Sequence, residues 1–112
     1  MAISTRSGSV AEPLDVSVIN PTGTRADGSV TLTLATTAYA VPSSPPASPY
    51  LLIISANVTN VDSIWWRLTT GTTLGHPISP GSSMAIKLPA SVGLFIYSPT
   101  AFQIANFSTA IL

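Results

Sequence analysis

The tightest constraint on the fold is the hydrophobic period of Ser29-Val-Thr-Leu-Thr-Leu-Ala35, where apolar residues and threonines alternate strictly. A period of two is the signature of a half-buried strand, because successive side chains point to opposite faces. Val30, Leu32 and Leu34 then face a core and Thr31 and Thr33 face water. The same alternation appears in Leu14-Asp-Val-Ser-Val-Ile19, in Ser63-Ile-Trp-Trp-Arg-Leu-Thr69 and in Ser83-Met-Ala-Ile-Lys-Leu88. Tyr50 to Val58 is a continuous β-rich run, which reads as a strand buried on both faces. Leu94 to Ser98 and Ala101 to Phe107 read as a last hairpin about Ser98-Pro-Thr100, followed by the tail Ser108 to Leu112.

Turn chemistry separates these runs. Asn20-Pro-Thr-Gly23 and Asn60 to Asp62 are turns, and Asp27-Gly28 has the composition of a hairpin turn. Residues 41–49 hold four prolines and three serines, so they form an extended surface loop. Thr70 to Gly81, with its glycines and prolines, also reads as a loop. No segment has helical periodicity. About seven short strands divided by Gly, Pro and Asn turns specify an all-β chain. The expected architecture is a small antiparallel β-sandwich or barrel, jelly-roll-like. Residues 1–13, rich in Ser, Ala and Gly, form an extended, flexible N-terminal arm. Residues 14–112 form a single domain. Its expected core holds Val30, Leu32, Leu34, Ile53, Trp66, Leu68, Ile86, Leu88, Ile96 and Ile104.

Composition then limits what such a domain does. Hydrophobic residues make up 46% of the 112-residue chain and charged residues 7%, against about 25% charged in an average soluble domain. No apolar run approaches the ~18 residues of a membrane span, so no membrane partner is expected. The 16 Ser and 14 Thr carry much of the surface polarity. A formal net charge of zero favours association and leaves no electrostatic footprint for nucleic acid. The protein is therefore expected to pair with itself as a homo-oligomer, a trimer favoured. Cysteine is absent, which removes disulfides, thiolate metal sites and cysteine nucleophiles. Arg6 is followed by no apolar stretch, so no signal peptide is read. The glycosylation sequons at Asn57 and Asn106 read as chance matches in a Ser/Thr-rich chain.

Catalysis needs titratable groups brought together, and the inventory is short: Glu12, Asp15, Asp27, Asp62, three arginines, Lys87 and His76. His76 lies in the loop Leu74-Gly-His-Pro-Ile78 with no second histidine to share a metal. No Gly-x-Ser-x-Gly elbow is present, and Gly71-Thr-Thr-Leu-Gly75 lacks the Gly-Lys-Ser/Thr ending of a phosphate loop. The chain is not expected to be an enzyme or to hold a cofactor or metal. Trp65-Trp66 is the pair that draws most interest. Neighbours on a strand point to opposite faces, so Trp66 joins Ile64 and Leu68 inward and Trp65 shares the other face with Arg67. Trp65 is open to three roles: a sugar-stacking platform, a subunit anchor or packing under a loop. The candidate interface or ligand contacts are Trp65, Arg67, Tyr97 and Tyr50.

From Val58 to Ile104 the order of motifs is distinctive. An Asn-rich strand end (Asn57-Val-Thr-Asn60) precedes the strand Trp65-Trp-Arg67 and a Gly/Thr loop. Pro77-Ile-Ser-Pro-Gly-Ser-Ser83 then turns into an alternating strand, and Gly93-Leu-Phe-Ile-Tyr-Ser98 follows. This series resembles the small structural proteins of tailed bacteriophage virions, above all the head decoration (cement) proteins. It departs from them in having no acidic residue in the Pro-Gly turn. The resemblance implies a β-sandwich that binds the outside of the head and stabilises it, often as a trimer. The implied partner is the major capsid protein, and the implied location is the capsid surface of a virion made in the host cytoplasm. Two other readings stay open: a carbohydrate-binding, lectin-like module using Trp65 and Tyr97, and a phage tail or fibre subunit. A lectin site would show aromatics on a concave face beside Asn, Asp or Gln.

Overall fold

The computed structural model describes residues 25–73 and 75–112. The strand expected over Leu14 to Ile19 and the arm over residues 1–13 lie outside the described residues. The described residues form eight strands: β1 (Arg25–Leu32), β2 (Tyr39–Val41), β3 (Tyr50–Ala56), β4 (Ile64–Arg67), β5 (His76–Ile78), β6 (Ser83–Leu88), β7 (Leu94–Tyr97) and β8 (Gln103–Ile111).

These strands make two four-stranded antiparallel sheets, ordered β1-β8-β3-β6 and β2-β7-β4-β5. The pairings β1 with β8, β2 with β7, β3 with β6 and β4 with β5 share one logic. They are the rungs of one long hairpin with its tip between β4 and β5, wound so that its halves fall alternately into two sheets. This is the connectivity of an eight-stranded jelly roll, the double-sheet answer to exposed strand edges. The expected sandwich is therefore present, and the barrel alternative is not.

The core lies between the sheets. The first contributes Leu32, Tyr50, Leu52, Ile54, Ala56, Leu88 and Ala105, and the second Val41, Ile64, Ile78, Leu94 and Ile96. Of the expected core, Leu32, Leu88 and Ile96 are buried, while Val30, Trp66 and Ile86 pack half-buried against it. Four expected members are not part of it. Leu34 is exposed because β1 ends at Leu32 and the chain turns, with Thr36 at a φ of 52°. Leu68 is exposed because β4 ends at Arg67. Ile53 points outward, since β3 alternates with Tyr50, Leu52, Ile54 and Ala56 inward; it is not buried on both faces. Ile104 lies half-buried between its buried neighbours Gln103 and Ala105.

Other boundaries move for physical reasons. Asp27-Gly28 is inside β1, not at a turn. Gly28 lies opposite Phe107, and a Cβ there would come within 2.6 Å of the ring's Cζ, so the glycine makes room for the aromatic across the ladder. The stretch read as one loop from Thr70 to Gly81 contains β5, whose Pro77 is tolerated because β5 is the outer strand of its sheet among the described residues. Val41 ends β2 instead of opening the Pro-rich loop. The tail beyond Phe107 continues β8 to Ile111. Ser98-Pro-Thr100 is no hairpin: β7 and β8 belong to different sheets, so this turn carries the chain across the sandwich.

Candidate functional site

The register of β4 against β7 sets Trp65 directly opposite Tyr97, and Arg67 opposite Phe95. Ile64 and Ile96 are buried in the core, so Trp65, Arg67, Phe95 and Tyr97 share the outer face of the second sheet. The indole and phenol rings stack with centroids 6.5 Å apart and planes 19° from parallel. The loop after β4 folds back over this face, and the Gly75 N–H donates to the Tyr97 hydroxyl at 3.3 Å. A Cβ at Gly75 would lie 3.1 Å from both that hydroxyl and the Trp66 carbonyl oxygen, so the close approach suits glycine. The result is an open cleft of about 370 Å³ lined by Thr36, Trp65, Thr72, Thr73, Tyr97 and Pro99. Thr36 reaches it in a left-handed conformation, costly for a β-branched residue, held by its N–H donating to the Ser98 carbonyl at 2.7 Å.

Three of the four expected contact residues thus lie on one face, and Trp65 and Tyr97 stack, with Tyr97 itself buried and Trp65 and Arg67 half-buried. Arg67 stands beside them, but its guanidinium turns to its own loop: Nη2 is 3.4 Å from the Thr69 hydroxyl, and a Cβ at Gly71 would overlap it. Tyr50 is not a surface contact. It is fully buried in the core, its hydroxyl donates to the Val92 carbonyl, and burial pushes its pKa above the usual phenol value. It is the first residue of β3, and the alternation of that strand turns it inward. His76 is exposed with its ring 4.7 Å from that of Trp66.

A second surface had no sequence signal. Strand register places the end of β1, the end of β3, the start of β6 and the start of β8 at one end of the first sheet. The loops there carry Leu34, Val58, Val61 and Phe102, all exposed, with Val61 at 82% and Phe102 at 69%. Phe102 has a φ of 65°, an uncommon conformation for a bulky residue, and its N–H donates to the Leu32 carbonyl at 2.6 Å. Polar side chains strap these loops together. The buried Gln103 accepts from the N–H groups of Val61 (2.8 Å) and Asp62 (3.0 Å) and donates to the Ala101 carbonyl. The Asn60 amide imitates a strand neighbour, accepting from the Ile104 N–H (2.8 Å) and donating to its carbonyl (2.9 Å). Asp62 accepts from Ser63 N–H and from the Thr100 hydroxyl, both at 2.7 Å. The apolar side chains are thus displayed on an ordered frame.

A third depression, about 320 Å³, lies along β1, β8 and β3 between Asp27, Ile53, Ser55, Asn106 and Ser108. Its carboxylate is already engaged, accepting from the Ser108 hydroxyl at 2.6 Å. Among the described residues no three His, Cys, Asp or Glu side chains group as a metal site.

No family model matches the chain, and no curated protein matches it. One similar solved chain comes from work described as "Bacillus endospore appendages form a novel family of disulfide-linked pili". It is 14% identical over 83% of this chain and 91% of its own, with a TM-score of 0.49. A likeness at this level fixes neither fold nor function.

Proposed function

We propose that the protein is a non-enzymatic structural subunit that works as a homo-oligomer, a trimer favoured, on the outer surface of a larger particle. The setting that the sequence resemblance implies is the head of a tailed bacteriophage, where it would act as a decoration protein on the major capsid protein. The observation that carries this reading is the strapped loop end. A monomer that stayed free in water would gain nothing from Val58, Val61 and Phe102 held open at that end, and an exposed apolar cluster marks an interaction surface. Burying one such side chain is worth about 1.5–3 kcal/mol, so a few of them supply the centre of an interface whose rim is hydroxyl-rich. The two acidic groups among the described residues serve structural hydrogen bonds. Asp27 and Asp62 sit on different parts of the sandwich, and each accepts hydrogen bonds from neighbouring residues.

The test is to locate the protein on particles made by the genome that encodes it, by immunogold labelling and cryo-electron microscopy. Regularly spaced density outside the head, lost when Val61→Asp and Phe102→Asp are combined, would agree. A protein found on tail fibres, or absent from particles, would sink the capsid assignment.

A further inference from the structure

The first sheet is open along one side. Among the described residues β6 (Ser83–Leu88) is an outer strand of six residues, none of them Gly or Pro. The other outer strands are poorer templates: β2 and β5 have three residues each, β5 holds Pro77, and β1 holds Gly28. A strand edge presents a row of unpaired N–H and C=O groups, ready to pair with a further strand. The core is also thin there. Met84 and Ile86 face inward but stay half-buried, whereas Ile54 and Leu52, their partners on β3, are fully buried. One more strand beyond β6 would cover them.

The chain carries a segment of matching length and pattern ahead of Arg25. Leu14-Asp-Val-Ser-Val-Ile19 alternates over six residues. Set antiparallel to β6 with Asp15 against Lys87, all six find a partner. Leu14, Val16 and Val18 then meet Leu88, Ile86 and Met84 on the core face, and Ser17 meets Ala85 beside the ion pair on the outer face. A parallel setting with the same ion pair runs Val16 onto Leu88 and leaves Ser17 to Ile19 beyond the end of β6. Lys87 is exposed, and its charge repels the β6 edge of another copy while admitting a strand that brings a carboxylate. The chain's own β1 is a worse place for this segment. A hairpin closed by residues 20–24 sets Ile19 against Arg25, which puts Asp15 against Ser29, diagonal to Asp27, and Val16 against Gly28.

Reach decides which molecule receives the segment. Arg25, Ala110, Leu51 and Lys87 lie in one row across the sheet. In the antiparallel pairing Ile19 stands opposite Ser83, four residues along β6 from that row and four strand spacings from β1. At about 3.4 Å per residue and about 4.8 Å per strand, Ile19 would be ~23 Å from Arg25 by a line through the sheet. Six residues of extended chain span at most about 20–22 Å, and the chain has to pass around the sheet. We propose that residues 14–19 add as a strand to the β6 edge of a second copy of this chain. Each copy gives a strand and receives one, a heterologous contact that makes a ring where the rotation closes. This deepens the homo-oligomer reading above and rests on it: main-chain bonds supply affinity, and the alternate side chains set the register.

Full-length variants test the pairing. The chain has no cysteine, so Ser17→Cys and Ala85→Cys mark the two strands without background. Mixed one to one and treated with a short bis-maleimide, they should give a dimer whose linked peptides, read by mass spectrometry, join residues 17 and 85. Val16→Pro removes a ladder N–H and should weaken self-association in sedimentation velocity by at least about tenfold, with melting of the domain little changed. Asp15→Lys and Lys87→Asp should each weaken it by roughly two- to fivefold, and the two together should restore it. A Ser17→Cys/Asp27→Cys chain that links within itself, with no link between residues 17 and 85, overturns the exchange in favour of the chain's own hairpin. A wild-type oligomer indifferent to Val16→Pro overturns the strand contact and leaves the homo-oligomer standing. A wild-type chain that is monomeric at high micromolar concentration overturns the contact and the homo-oligomer together, while particle labelling still judges the rest.

Discussion

Gln103→Met tests whether one side chain holds the apolar loop end in place. Methionine keeps the length of glutamine and removes its amide. The Val61 and Asp62 N–H groups, 2.8 and 3.0 Å from Gln103 Oε1, lose their acceptor, and the Ala101 carbonyl loses a donor. Gln103 itself is 3% exposed, but the loop amides are only part-buried, so water partly replaces what is lost. Two orphaned donors at the low end of about 1–3 kcal/mol each give a destabilisation of about 2–3 kcal/mol. At roughly 4 °C per kcal/mol for a domain near this size, Tm should fall by about 8–12 °C. Urea titration gives the free energy, and hydrogen exchange of the Val61 and Asp62 amides shows whether the loss is local. Gln103→Glu keeps the acceptor and should retain most of the protection of both amides. A Gln103→Met change below about 0.5 kcal/mol, the level of an ordinary surface substitution, with those amides still protected, would refute the strapped-frame argument.

Gly28→Val should cost about 1–3 kcal/mol by overpacking against Phe107, and Phe107→Ala in the same chain should make the added cost much smaller, measurable as a non-additive cycle. Tyr50→Phe should cost about 1 kcal/mol through the lost bond to Val92 and should remove from an ultraviolet titration a phenol whose ionisation burial delays. Tyr39, whose hydroxyl pairs with that of Thr33 and also accepts from the Leu34 N–H, is held below the ordinary phenol value and should titrate early. Because the folded pKa of Tyr50 is raised, its ionisation favours the unfolded chain. The Tyr50 contribution should be level below pH ~10 and fall above it, opposite in sign to that of Tyr39, and it is read as the difference in stability between wild type and Tyr50→Phe across that range.

Much of this architecture was legible in the sequence. Strict alternation located β6 and its inward face, found the second half of β1 with Val30 and Leu32 inward while missing its start and overrunning its end to Leu34, and adjacency placed Trp65 and Trp66 on opposite sides. Parity failed where the sequence carries no phase. Tyr50-Leu-Leu-Ile-Ile offers five apolar residues in a row, and only the polar Ser55, sharing a face with Ile53, marks which side is out. Short strands failed for a different reason. Tyr39–Val41 and His76–Ile78 are three residues each and contain or adjoin proline, so local propensity speaks against them, and pairing with β7 and β4 creates them. The loop frame was invisible because its bonds join residues about 40 positions apart, such as Gln103 to Val61.

The two outer faces of the sandwich bear on how a chain with 7% charged residues behaves in water. On the first sheet, Ser29, Asn106, Ser55 and Ser83 lie in one row across all four strands. Hydroxyls and amides there satisfy water without carrying charge, and Asp27 and Lys87 stand on the two outer strands, where charge opposes edge pairing. On the second sheet the equivalent positions are the half-buried Trp65, Phe95 and Arg67, with Tyr97 buried under the loop that follows β4. A sandwich with one wet face and one aromatic face is asymmetric in what it can cover. Under the homo-oligomer reading the aromatic face turns toward a neighbour and the hydroxyl face stays in solvent. Arg67, the charge on that face, holds its guanidinium toward its own loop beside Thr69, so a neighbour covering the Trp65 ring would not have to strip that ion of water, a step that costs several kcal/mol for an unpaired charge.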